Sequence, residues 1–166
     1  MGKITAPVLL SAEYDTTSFN SGVLSLDEWL IKRALKNQNT GASRTFVICE
    51  NNRVAGYYAL ATGSVERWVV QNSIARNMPD PIPVIVLGRL AIDRQYQRRR
   101  LGAALLKDAM LRTLSVAQSV GVRCLLVHAI SEEAKKFYLN YGFLVSPIEP
   151  MTLILPIQHI KGYFTE

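Results

Sequence analysis

VIVLGRLAIDRQYQRRRLGAALL, Val84–Leu106, is the stretch whose reading decides the fold. Its first half, from Val84 through Leu87 and on to Leu90, Ala91 and Ile92, is an apolar run of strand formers, as in a strand buried on both faces. Arg94–Arg100 then supplies four arginines, and Gly102-Ala103-Ala104 opens a helix with small residues. A strand, a turn rich in cations and a helix N-terminus in that order form a recurrent device for holding a phosphate, because amides unpaired in the first helical turn point at the anion.

Composition places this device in an ordinary globular chain of 166 residues, where 49% hydrophobic and 19% charged residues exclude a disordered one. The formal charge of +6 is uneven. Residues 85–112 carry seven Lys/Arg against Asp93 and Asp108, which points that segment toward a polyanion. Cys49 and Cys124 each sit in an apolar run and read as buried, reduced thiols; neither they nor His128 and His159 have metal-ligand spacing. No signal peptide, membrane-spanning run or internal repeat is evident, so one cytoplasmic domain over residues 1–166, with no membrane association, is expected.

Outward from the central stretch, Val8–Leu10 carries a strand signal. Ser25 followed by Glu28 reads as a capping box opening a helix to about Asn37, with Leu26, Trp29, Leu30 and Ala34 as its apolar stripe. Thr45–Glu50 and Val54–Thr62 read as strands joined at Asn51-Asn52, and Ser64–Val70 either prolongs the second or starts a short helix. Pro79, Pro81 and Pro83 exclude helix before Val84. Leu101–Val120 reads as a long helix with Leu105, Leu111, Leu114 and Ala117 available for packing and Gly121 as its stop. Arg123–Ile130 reads as a buried strand, Ser131 as the N-cap of a helix ending at Gly142, and Phe143–Ser146 and Met151–Leu155 as final strands. The last ten residues show no pattern. Together these predict an α/β (α+β) domain, its helices covering a mixed, mostly antiparallel sheet.

Two motifs go further. Gln97-Arg98-Arg99-Arg100-Leu101-Gly102 lies between strand and helix, and Ala134-Lys135-Lys136-Phe137-Tyr138 with Tyr141-Gly142-Phe143 follows one helix and one strand later. In that order they resemble the GNAT acetyltransferase superfamily. Leu26-Asp27-Glu28-Trp29-Leu30, Gly41–Val47, Gly56–Leu60, Arg76–Val84 and Arg89–Asp93 further resemble the acetyltransferase toxins of bacterial toxin–antitoxin modules, of which TacT, AtaT and KacT are members.

The resemblance implies a GNAT fold and transfer of acetyl from acetyl-CoA to the α-amine of aminoacyl-tRNA, which blocks translation. It implies a homodimer, neutralised by a ribbon-helix-helix antitoxin and repressing its own operator DNA only as the toxin–antitoxin complex. It assigns Tyr138 as general acid to the leaving thiolate. It places Leu90, Ala91 and Ile92 along the pantetheine arm, Gln97, Arg98, Arg99, Arg100, Leu101, Gly102 and Ala103 around the pyrophosphate, and Ser131 and Phe137 in the same cofactor site. The family's first motif glycine is Arg100 here, which either hinders close approach of the backbone or adds a charge-assisted contact to phosphate.

An α-amine ionises near pKa 7.7–8.0, and lower once its carboxyl is esterified, so it needs little help from a base. No carboxylate in the chain stands out as one. Lys32, Arg33, Lys36, Arg44, Arg76 and Arg89 are the candidate tRNA contacts; on helix geometry alone the first three read as a solvated face, whereas Arg44 and Arg89 stand in apolar strands where an unpaired charge is costly. Two other readings share parts of this pattern: a GNAT enzyme for a small amine or a protein N-terminus, and a non-catalytic repressor module whose cofactor loop Arg100 has degraded.

Overall fold

A computed structural model describes residues 2–164. Seven strands, in the order β1-β2-β3-β4-β5-β7-β6, form a mixed sheet. The chain divides into two compact units, one made of the residues up to Ala61 with Gly88–Ala109, the other of Thr62–Leu87 with the residues from Met110 on.

In the first unit, β1 (Val8–Leu9) pairs antiparallel with β2 (Arg44–Glu50), and β2 with β3 (Arg53–Val65). Asn51 and Asn52 join the last two with φ of 51° and 67°, the left-handed pair whose twist suits a tight hairpin. Helix α1 (Leu24–Lys32) buries Leu26 and Leu30 among Val47, Val54 and Tyr57, each large side chain contributing about 1.5–3 kcal/mol. The expected capping box does not form. The helix begins at Leu24 after an uncapped Val23, leaving Ser25 inside it and exposed. The buried Asp27 carboxylate instead accepts from Ser21 N (2.9 Å) and Ser21 Oγ (2.6 Å), tying the preceding loop to the first turn.

The single helix expected to reach Asn37 is two. It breaks at Arg33 (φ −122°), and α2 (Ala34–Thr40) follows, ending at Gly41 with φ +85°. The cause is tertiary: the buried Gln38 side chain donates from Nε2 to Leu10 O (2.7 Å) and accepts at Oε1 from Thr45 N (3.0 Å). That clamp sets the direction of α2.

In the second unit, the first part of β4 (Ile82–Ile92) lies parallel to β5 (Cys124–His128), from Val84↔Cys124 to Leu87↔Val127. β7 (Thr152–Pro156) pairs antiparallel with β5 and with β6 (Leu144–Val145). A 3-10 turn, Arg67–Val69, and the short α3 (Asn72–Ala75) precede the proline segment. Helix α5 (Glu132–Asn140) is capped as expected, Ser131 Oγ accepting from Ala134 N at 3.1 Å, and Gly142 after it has φ +92°.

Helix α4 (Leu101–Ala117) passes from one unit to the other. It stops before Val120, and Leu111, expected in its packing face, is 42% exposed. The buried stripe is Leu105, Leu106, Ala109, Met110 and Thr113, a face at 3.6-residue spacing turned away from Leu111. The patternless C-terminal residues form α6 (Ile157–Phe164), which buries Ile157 and Ile160 directly after Pro156, a residue suited to a helix start. Among the described residues no helix is long and apolar enough to cross a membrane.

Candidate functional site

The end of β4 leads into the basic turn through one buried carboxylate. Asp93, 1% exposed, accepts from Gln95 N and Asn20 N at 2.9 Å each and pairs with Arg53 Nη2 at 3.5 Å. A 3-10 turn, Arg94–Tyr96, follows. Gln97 then donates from Nε2 to Ile92 O (2.9 Å) and Ser21 O (3.0 Å). These two bonds fasten the turn and use the Nε2 donors, while the side chain stays exposed.

Arg98 and Arg100 both hold left-handed backbone, at φ +65° and +59°. Such a conformation costs a residue with a Cβ about 1–2 kcal/mol. Glycine's conformation is thus kept at position 100 in spite of the arginine. Backbone that alternates in this way turns successive amides toward one side. Ala104 N donates to Arg100 O (3.2 Å), so the helical ladder starts there, and the amides of Leu101, Gly102 and Ala103 lie in a first turn without intrahelical acceptors. All three arginines of the turn are exposed, with the Arg99 guanidinium 5.7 Å from the Tyr96 ring centre.

On β4, Ala91 is buried and Leu90 and Ile92 are half-buried. Gly56 on β3 lies against them: a Cβ there would stand 2.6 Å from Ile92 Cδ1 and 3.2 Å from Ala91 O. Sequence alone assigns no role to Gly56 or Asp93, because their partners are remote along the chain.

In the other unit, Tyr138 is 6% exposed, its ring edge-on to Phe137 (5.1 Å) and Phe143 (5.3 Å). Burial raises its phenol well above the usual tyrosine range, and its hydroxyl makes no hydrogen bond among the described residues. Ser131 is exposed and spends its hydroxyl on the cap; Phe137 is half-buried and also meets Tyr141 (5.2 Å).

The residues assigned to RNA contact fall in different settings. Lys32, Arg33 and Lys36 are exposed, and Lys32 pairs with Glu28 at 3.6 Å. Arg44, expected in an apolar setting, is the exposed first residue of β2, with Nη1 donating to Gln38 O (3.2 Å), so it bears no burial cost. Arg89 is half-buried, as its strand suggested. Its guanidinium stacks 4.5 Å over Trp29, which itself stacks on Tyr57 (6.0 Å). Arg76 is exposed after α3, in the other unit, and helps line a cavity of about 450 Å³ with Arg67, Trp68, Asn72 and Ala75. Cys49 and Cys124 are buried thiols, raised by that burial to about 11 and about 12, and so un-ionised at neutral pH.

Residues 41–145 match the acetyltransferase (GNAT) domain family. The chain is 50% identical to a tRNA-acetylating toxin of Mycobacterium tuberculosis (strain ATCC 25618 / H37Rv), over 162 residues and 98% of each protein. Among solved structures it is similar to a tyrosine-to-phenylalanine mutant of KacT, with TM-score 0.91, 27% identity, and 97% and 99% of the two chains covered. It is similar as well to AtaT complexed with acetyl-methionyl-tRNAfMet, with TM-score 0.90, 31% identity, and 98% and 100% covered. AtaT has also been solved as AtaTR bound with AcCoA, as a tyrosine-to-phenylalanine mutant bound to the C-terminus of the antitoxin AtaR, and as an AtaT-AtaR complex bound to DNA.

Proposed function

Because the chain belongs to the GNAT acetyltransferases, and within them to the group of the tRNA-acetylating toxins, we propose that it transfers acetyl from acetyl-CoA to the α-amine of aminoacyl-tRNA and so blocks translation. The observation that carries this reading is the likeness along nearly the full chain to a toxin of that activity. The left-handed turn at Arg98–Arg100, opening onto the first turn of α4, is its structural counterpart here and fits a pyrophosphate.

The amides from Arg98 to Ala103 and the turn's guanidiniums would hold the diphosphate, and the backbone of Leu90–Ile92 would face the pantetheine arm. Acetyl-CoA, when bound, supplies an activated thioester acyl group. The chain's part in the chemistry is to place an unprotonated amine and a proton donor. Since an esterified α-amine is largely neutral near pH 7.5, no general base is required of the protein. Tyr138 keeps its proton on Oη because burial disfavours the phenolate; as the new C–N bond forms and the C–S bond breaks, that proton would pass to the departing sulfur, and the surplus proton of the acylated nitrogen would restore the phenol.

Lys32, Arg33, Lys36, Arg44, Arg76 and Arg89 contribute to binding the RNA backbone. The protein works in the cytoplasm as a homodimer, is neutralised by a ribbon-helix-helix antitoxin, and binds operator DNA only with that antitoxin. The test is mass spectrometry of charged tRNA after incubation with the protein and acetyl-CoA. One acetyl added to the aminoacyl group is expected; charged tRNA of unchanged mass overturns the reading.

A further inference from the structure

Trp68 is 59% exposed, the most exposed aromatic side chain among the described residues. A tryptophan left in water beside a well-filled core is unusual, since its ring carries a large hydrophobic area. The surrounding backbone is firmly held. Val69 on one side is buried and its carbonyl accepts from Ser146 Oγ (2.5 Å), and Gln71 donates from Nε2 to Val145 O (2.8 Å). Val70, Ile74 and Ala75 are core residues. The exposed ring is therefore mounted on a rigid turn.

Its neighbours are cationic. Arg67 is half-buried and donates from Nη1 to Met78 O (2.7 Å), which fixes a guanidinium whose other donors remain. Arg76 is exposed, and with Asn72 and Ala75 these residues line an open depression of about 450 Å³ without an acidic side chain in the lining. An aromatic platform, two guanidiniums and an amide are the groups that hold a single-stranded nucleotide, whose base stacks and whose phosphate is anionic. A purely apolar partner would desolvate both guanidiniums without pairing their remaining donors.

We propose that this cavity takes one unpaired nucleotide of the RNA substrate, its base stacked on Trp68 and its phosphate held by Arg76, with Arg67 setting the edge of the pocket. The proposal rests on the tRNA reading above and adds to it a nucleotide-binding residue, Trp68. A stacking platform tolerates any base, so this pocket adds affinity and register, not base identity.

The experiment compares wild type with Trp68→Ala, Trp68→Phe and Arg76→Ala. Four quantities are measured: acetylation of sub-saturating charged tRNA by mass spectrometry, Kd for charged tRNA by filter binding across a salt series, Kd for acetyl-CoA by calorimetry, and sedimentation velocity. Trp68→Ala raises the tRNA Kd roughly 5- to 150-fold, while Trp68→Phe, which keeps a stacking face, stays within about threefold of wild type. Arg76→Ala lowers the slope of log affinity against log salt by about 0.7. Acetyl-CoA affinity and sedimentation stay as in wild type.

Equal tRNA affinity in Trp68→Ala and wild type overturns the proposal, as does loss of affinity in step with a slower-sedimenting species, which would make Trp68 a contact between protein chains. A wild-type protein that acetylates charged tRNA while Trp68→Ala matches it sinks this inference alone. A wild type that fails to acetylate sinks the reading beneath it.

Discussion

Replacing Tyr138 by Phe removes one hydroxyl and nothing else. The ring keeps its edge-on contacts with Phe137 (5.1 Å) and Phe143 (5.3 Å), so the packing contribution of this buried side chain is retained. A lost hydroxyl destabilises chiefly when it leaves a partner unsatisfied, and Tyr138 has no hydrogen-bond partner among the described residues. The expected change in unfolding free energy is therefore within about 0.5 kcal/mol of zero, well below the 1–3 kcal/mol that a stranded partner costs. The rate behaves differently. A positioned general acid contributes about 10²–10⁴-fold, equivalent to roughly 3–5 kcal/mol of barrier. The assay pairs urea unfolding with single-turnover acetylation of charged tRNA followed by mass spectrometry. A stable protein that binds acetyl-CoA normally and transfers at least 100-fold more slowly is expected. The pH profile adds a second check. Because burial raises the phenol, Tyr138 stays protonated below about pH 10; the wild-type rate should rise as the α-amine loses its proton near or below pH 7.7–8.0 and then stay level. Wild-type turnover in Tyr138→Phe would refute the role, and so would a loss of rate explained by an unfolded protein.

Arg100→Gly relieves about 1–2 kcal/mol of left-handed strain but adds about 0.5–1 kcal/mol of unfolded-chain entropy, so the melting temperature should move by only a few degrees. Acetyl-CoA should bind about tenfold more weakly through loss of a charge-assisted contact; tighter binding by calorimetry would mean that the arginine obstructs the site. Gly56→Ala presses a methyl to 2.6 Å from Ile92 Cδ1, which can move, and to 3.2 Å from the Ala91 carbonyl, which cannot easily. It should cost about 1–3 kcal/mol in urea unfolding and weaken acetyl-CoA binding, whereas wild-type values for both would remove Gly56 from the support of that strand. Reversing Lys32, Arg33 and Lys36 to Glu should reduce tRNA acetylation and leave acetyl-CoA affinity unchanged. The Lys32–Glu28 pair lost with it is exposed and worth at most about 1 kcal/mol, so unchanged acetylation would show that this face does not meet the RNA.

What could be read from the chain alone was whatever depends on near neighbours. The strand–turn–helix of Val84–Leu106, the Asn51-Asn52 hairpin, the Ser131 cap and the order of the two motifs rest on local periodicity, on turn chemistry or on residues a few positions apart. Folding alone decided the features held by partners far along the chain. Gln38 breaks the first helix because it clamps Leu10 and Thr45, Asp93 anchors the basic turn because Asn20 and Arg53 come to it, and α4 buries Met110 and exposes Leu111. The same is true of Arg100. Its departure from the family glycine was visible at once, but that the surrounding structure would hold it left-handed was not. A sequence names the side chain at each position, and the free energy that holds a strained backbone comes from contacts the sequence does not list.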